Sequence, residues 1–124
     1  MINSPLSSWH KVVQDAAHKA ARLEDRERLR DAPVGDALVP FEYRWEHVQA
    51  VVRLAVRLAE RTGADREICE AAAWLHDVTK VYSRAQGTSH GVDGAARARE
   101  LLAQTDFPTE KIEGVADAIA KHVG

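Results

Sequence analysis

Six histidines stand in a chain of 124 residues, and four of them occupy positions where an imidazole can meet a partner. His47, His76 and His122 fall on the apolar faces of the helices that residue spacing predicts around them, and His90 stands where another helix begins. Burying an imidazole is costly unless it finds a hydrogen-bond or metal partner, and one cation can satisfy several imidazoles at once. A hydrogen-bonded cluster without a cation uses the same residues. His10 and His18, beside Lys11 and Lys19, read as surface residues. The focus is the dipeptide His76-Asp77, within Ala73-Trp74-Leu75-His76-Asp77-Val78-Thr79-Lys80. Adjacent residues on a regular helix diverge by about 100°, so these two converge only at a helix end or a distortion. The β-branched Val78 and Thr79 that follow favour such an end. His47 lies on a different helix and supplies a ligand from across the bundle, which is how metal sites in helical bundles are generally built.

The elements that must position these residues are helical. Hydrophobic residues make up 45% of the chain and charged ones 29%, enough for a core and a soluble surface and unlike a disordered or membrane protein. A formal net charge of −2 gives no global attraction to nucleic acid or to an anionic membrane. The single cysteine, Cys69, excludes an internal disulfide framework and a Cys-rich zinc module, and reads as an inert core thiol. The start of the chain has no basic region followed by an apolar run, so a soluble, cytoplasmic single domain is expected. A first helix, capped by Ser7 and Ser8, should run to about Asp31 with Val12, Val13, Ala16, Ala20 and Leu23 as its apolar stripe. Its charge-dense second half reads as a solvated face, and its stripe could also pair with a second copy in a homodimer. Pro33, Gly35 and Pro40 mark a loop. A second helix is predicted over 43–62, ended by Gly63, and a third begins at Asp65. Residues 81–89 read as a loop, a fourth helix spans about 90–104, and a last one carries Ile112, Val115, Ile119 and His122 on one side. Trp9, Trp45 and Trp74 read as core aromatics, and Gly91 and Gly94 as sites of close helix packing. No strand pattern or internal repeat is present, so the expected fold is all-α, a single bundle of about five helices without a sheet.

The ordered set His47, then His76-Asp77 with Lys80 three residues on, then His90-Gly91-Val92-Asp93-Gly94-Ala95 and finally Ala118-Ile119-Ala120-Lys121-His122 resembles the HD-domain superfamily of metal-dependent phosphohydrolases, in its bacterial nucleotide-hydrolysing branch. Arg44-Trp45-Glu46-His47 opening a helix strengthens the resemblance, which covers about two thirds of the chain. It implies a division into an N-terminal helix and loop, residues 1–40, packed on an HD core, residues 41–124. It implies His47, His76 and Asp77 as ligands of a divalent ion, and mixed imidazole and carboxylate donors suit Mn²⁺, Fe²⁺, Zn²⁺, Co²⁺ or Ni²⁺. Such an ion lowers the pKa of a water and polarises a phosphoryl oxygen, with Asp77 as a candidate proton acceptor and Lys80 beside it in the catalytic set. Arg44 and Lys80 would hold phosphate oxygens. His90 and His122 would contact phosphate, bind a second ion or shape the pocket. The family pattern also ends in an aspartate on a helix beyond the position of His122. The sequence given stops at Gly124, and neither Asp106 nor Asp117 stands in the matching place, so the core is expected to lack the usual C-terminal helices and last ligand.

The expected function is hydrolysis of a phosphomonoester or phosphoanhydride in a nucleotide. The partner is then a small phosphorylated molecule rather than a nucleic-acid polymer or a membrane. Two alternatives follow from the same resemblance. One is hydrolysis of a dinucleoside polyphosphate, the other an HD module that binds metal or nucleotide without turnover.

Overall fold

The computed structural model describes residues 7–31 and 43–122, so the predicted loop at Pro33, Gly35 and Pro40 lies outside the described residues. Six α-helices follow one another: α1 (Trp9–Asp31), α2 (Tyr43–Thr62), α3 (Arg66–Leu75), α4 (Lys80–Gln86), α5 (His90–Ala103) and α6 (Ile112–Lys121). A 3₁₀ turn, Thr109–Lys111, leads into α6. Among the described residues there is no strand, only an isolated bridge between Ser7 and Thr105. None of the described helices is long and apolar enough to cross a membrane.

The helix starts and stops follow local chemistry. The carboxylate of Asp65 accepts from the Ile68 N–H at 3.0 Å and starts α3, and Ser89 accepts from Val92 to start α5. Gly63 after α2 and Gly87 after α4 take positive φ values of 79° and 73°, which a glycine adopts without steric cost. The start of α1 is capped from a distance: Asp106, in the α5–α6 connection, accepts from the Trp9 N–H at 2.8 Å.

The core is shared by five helices. Val13 of α1, Leu75 of α3, Leu102 of α5, and Val115 and Ile119 of α6 are essentially without solvent contact, and Val52 joins them from α2. Trp9 lies edge-on to Phe107, and Trp74 stacks with Trp45, so all three tryptophans serve packing. Helices α5 and α6 approach closely at Gly94, where an added Cβ would stand 3.1 Å from the Ile119 side chain.

Besides the cap of α1, supplied by Asp106 rather than by Ser7 or Ser8, and His47, which is exposed instead of lying on an apolar face, two features differ from the sequence reading. The buried stripe of α1 is Trp9, Val13, Ala17, Ala21 and Asp25, one position round from the predicted one; Val12, Ala16, Ala20 and Leu23 are half-buried beside it. Alanines at 16, 17, 20 and 21 cover two adjacent faces, so the pattern alone did not fix the phase. The stretch predicted as a loop contains α4, which makes six helices among the described residues. Tertiary bonds hold it: Ser83, 1% exposed, donates to Asp93 of α5 at 2.6 Å, while Lys80 and Arg84 pair with Glu24 and Glu27 of α1.

Candidate metal centre

Helix α3 ends at Leu75, and His76 and Asp77 stand in the turn that follows, where neighbouring side chains can converge. The ends of three helices meet around Asp77. His76 caps the C-terminus of α3, His122 caps the C-terminus of α6, and His90 opens α5. The two carboxylate oxygens of Asp77 divide these partners. Oδ2 faces His76 Nε2 at 3.2 Å and an amino nitrogen of Arg44 at 3.3 Å. Oδ1 faces His122 Nε2 at 3.5 Å and His90 Nε2 at 3.6 Å.

Both capping histidines are oriented in the same way. The ring Nδ1 of His76 meets the Ala73 carbonyl at 2.7 Å, and that of His122 meets the Ile119 carbonyl, each three residues earlier. An Nδ1–H donated to a carbonyl leaves Nε2 facing the cluster, the arrangement that holds metal-binding imidazoles in place. A protonated His76 satisfies the Ala73 carbonyl and Asp77 together. Burial pulls the His76 pKa down, but the bonds to Asp77 and Ala73 and the Asp77 charge outweigh it and leave the pKa raised from 6.5. For Asp77, burial pushes up, yet the bond and charge of His76, the charge of Lys80 and the His122 bond hold the carboxyl well below the usual carboxylate range. Asp77 is therefore ionised at neutral pH.

Donor atoms of Asp77, His90 and His122 all lie within 4.8 Å of one another, close enough to share a cation. One carboxylate oxygen and imidazole nitrogens suit a first-row divalent ion. The side chains of Asp77, His90 and His122 are 15%, 28% and 29% exposed, so the centre is open on one side. The structure thus brings Arg44, His76, Asp77, His90 and His122 together, with Lys80 bound to the group through Glu24 at 3.4 Å. His47 is exposed on α2, and among the described residues the donors that converge are those of Asp77, His90 and His122. Beside the cluster, a groove of about 420 Å³ lined by Val51, Ala55, Leu58, Ala72 and Ala118 has His76 and His122 at its edge.

The sequence reading missed two acids. Glu24 Oε2 accepts from Arg44 Nε at 2.9 Å, and Asp25, 4% exposed, accepts from the backbone N–H of Arg44 at the start of α2. The signal was available: Asp25 continues the four-residue series Trp9, Val13, Ala17, Ala21, and an acid in a buried stripe needs a partner. His18 is half-buried rather than on the surface, with its ring stacked on Trp45 at 4.3 Å.

Comparison with known proteins gives the family. The HD domain family matches residues 44–124. Ribonuclease Y of Cutibacterium acnes is 40% identical over 136 aligned residues, covering 91% of this chain and 24% of that protein. A tRNA (cytidine(56)-2'-O)-methyltransferase of Thermoplasma volcanium is 33% identical over 83 residues, covering 67% of this chain and 22% of that protein. The chain thus spans about a quarter of the length of these curated relatives. No solved structure matches. A family match over most of the chain, falling on the helices that carry the cluster, places this protein in the HD-domain family of metal-dependent phosphohydrolases.

Proposed function

We propose that this domain hydrolyses a phosphomonoester or phosphoanhydride bond of a nucleotide at the Asp77 cluster. The observation that carries the reading is the convergence of Asp77, His90 and His122 donors within 4.8 Å, with His76 on the other carboxylate oxygen. Asp77, His90 and His122 would hold the divalent ion, and His76 would join them on losing its Nε2 proton. When bound, the ion supplies Lewis-acid stabilisation of phosphoryl charge and acidifies a water. Asp77, kept ionised by its neighbours, offers a fixed negative charge to a cation and is a weak acceptor for a proton in the reaction. Lys80 and Arg44 place positive charge where phosphate oxygens arrive, the guanidinium with a fork that suits them. The apolar groove beside His76 and His122 offers room for a base, which favours a nucleotide over a small inorganic phosphate.

The name of the Cutibacterium relative supports a second reading, in which the phosphate belongs to an RNA chain. One preparation tests both. Elemental analysis is paired with phosphate release from nucleoside mono-, di- and triphosphates and a dinucleoside polyphosphate, and with cleavage of a short RNA, all with added Mn²⁺. Near-stoichiometric metal with nucleotide turnover is the expected result. Cleavage of RNA alone transfers the activity to the second reading, and metal without turnover makes the domain a binding module. Absence of both metal and turnover overturns the proposal. In the same assay His47→Ala decides whether that residue belongs to the ligand set: a fall in metal content adds it.

A further inference from the structure

Glu24 lies on α1, outside the residues that match the HD family, yet it pairs with two cations beside Asp77. Its carboxylate is divided between two cations from two other helices. Oε2 takes the Arg44 Nε at 2.9 Å, at the start of α2, and Oε1 faces the Lys80 Nζ at 3.4 Å, at the start of α4. The side chain is 11% exposed and that of Arg44 18%, so the contact between them is sheltered from solvent. Asp25 fixes the backbone of the same arginine. With its Nε held by Glu24, the guanidinium of Arg44 presents an amino group to Asp77 Oδ2, and this leaves Oδ1 turned toward His90 and His122.

We propose that Glu24 is a positioning residue of the active site: it sets the Arg44 guanidinium and, through it, the orientation of the Asp77 carboxylate, while holding Lys80 beside it. Helix α1 is then part of the functional unit rather than a packing accessory. The inference rests on the reading of the Asp77 cluster as a metal centre, but its first consequence is visible without metal. Glu24→Gln removes the charge that holds both cations. Arg44 is freed to swing, and the carboxylate of Asp77 changes its partners.

The test uses the full chain without metal and follows the imidazole ¹H–¹⁵N signals of His76, His90 and His122 at fixed pH. Glu24→Gln should move them, whereas Glu100→Gln, on the exposed face of α5, should not. In an Arg44→Gln background the same substitution should add little, because the intermediary is already gone. A residue that merely packs α1 would add its effect in either background. Glu24→Asp, which keeps the charge but shortens the reach, should give intermediate shifts, and it serves in place of the glutamine variant if that one does not fold. Mn²⁺ titration of the same samples should show a loss of affinity of about 10- to 100-fold for Glu24→Gln, the range for residues that orient ligands. Unmoved histidine signals in a folded Glu24→Gln protein overturn the proposal. Wild-type protein that takes up no Mn²⁺ while its histidine signals respond to Glu24→Gln refutes the metal reading and keeps Glu24 as the organiser of Asp77.

Discussion

The two ends of α1 do opposite things with the same spacing. At its start, Trp9 is 5% exposed, packs edge-on to Phe107 and has its backbone N–H capped by Asp106. Four turns of the same stripe later, Asp25 is 4% exposed and beside it Glu24 braces two cations at the cluster. One end closes the core with an aromatic ring; the other carries buried charge to the only part of the described molecule where four helices contribute polar side chains to one carboxylate. The contrast teaches that a helical stripe specifies which face is buried, and the residue types along it decide whether burial makes a seal or a site.

The comparison can be broken at either end. The largest effect is expected from Asp77→Ala, which should abolish Mn²⁺ binding by calorimetry while His10→Ala leaves it within two-fold; unchanged binding in the Asp77 variant would remove the proposed centre. At the other end, Trp9→Ala should cost roughly 3–5 kcal/mol of stability in urea, the usual range for losing a large buried aromatic. The affinity of the folded fraction for Mn²⁺ should stay within two-fold, and a tenfold loss would mean that the two ends are coupled.

A smaller effect follows from pH in the metal-free protein. His76 has a raised pKa when folded, so its contribution is fully present below 6.5 and fades as pH rises through the raised value. Asp77 has a lowered one, so its contribution is present above 3.8 and is lost only as pH falls through the depressed value. The pair therefore stabilises most between these limits. Urea midpoints should be higher near pH 5 than near pH 8 by a margin that His76→Ala reduces; an equal margin in both proteins would detach the effect from His76. The smallest change is expected from Ser89→Ala, which removes the cap beside His90 and should cost about 1 kcal/mol. A loss of several kcal/mol there would mean that the start of α5 is held by far more than its cap.

Much of this arrangement was legible in the sequence. The end of α2 at Gly63, the Asp65 cap of α3 and the helix end before His76 all rest on short-range chemistry, and short-range chemistry is written in neighbouring residues. Helix α4 was not legible, because Ser83 and Lys80 are held by Asp93 and Glu24 from other helices. The same holds for the brace at Arg44, whose two acids lie 19 and 20 positions earlier. His47 shares the helix of Arg44, but position on a helix does not fix a rotamer, and its side chain is exposed.

The cluster also has a consequence for folding. Asp77 and His122 are brought together only when α3 and α6 have docked, with α5 supplying His90 between them. A ligand held by all three binds the assembled bundle and not the open chain. At one hundred times its dissociation constant it would add about 2.7 kcal/mol to the free energy of unfolding. A ligand held there would act as a latch, and its concentration would set how much of the protein stays folded.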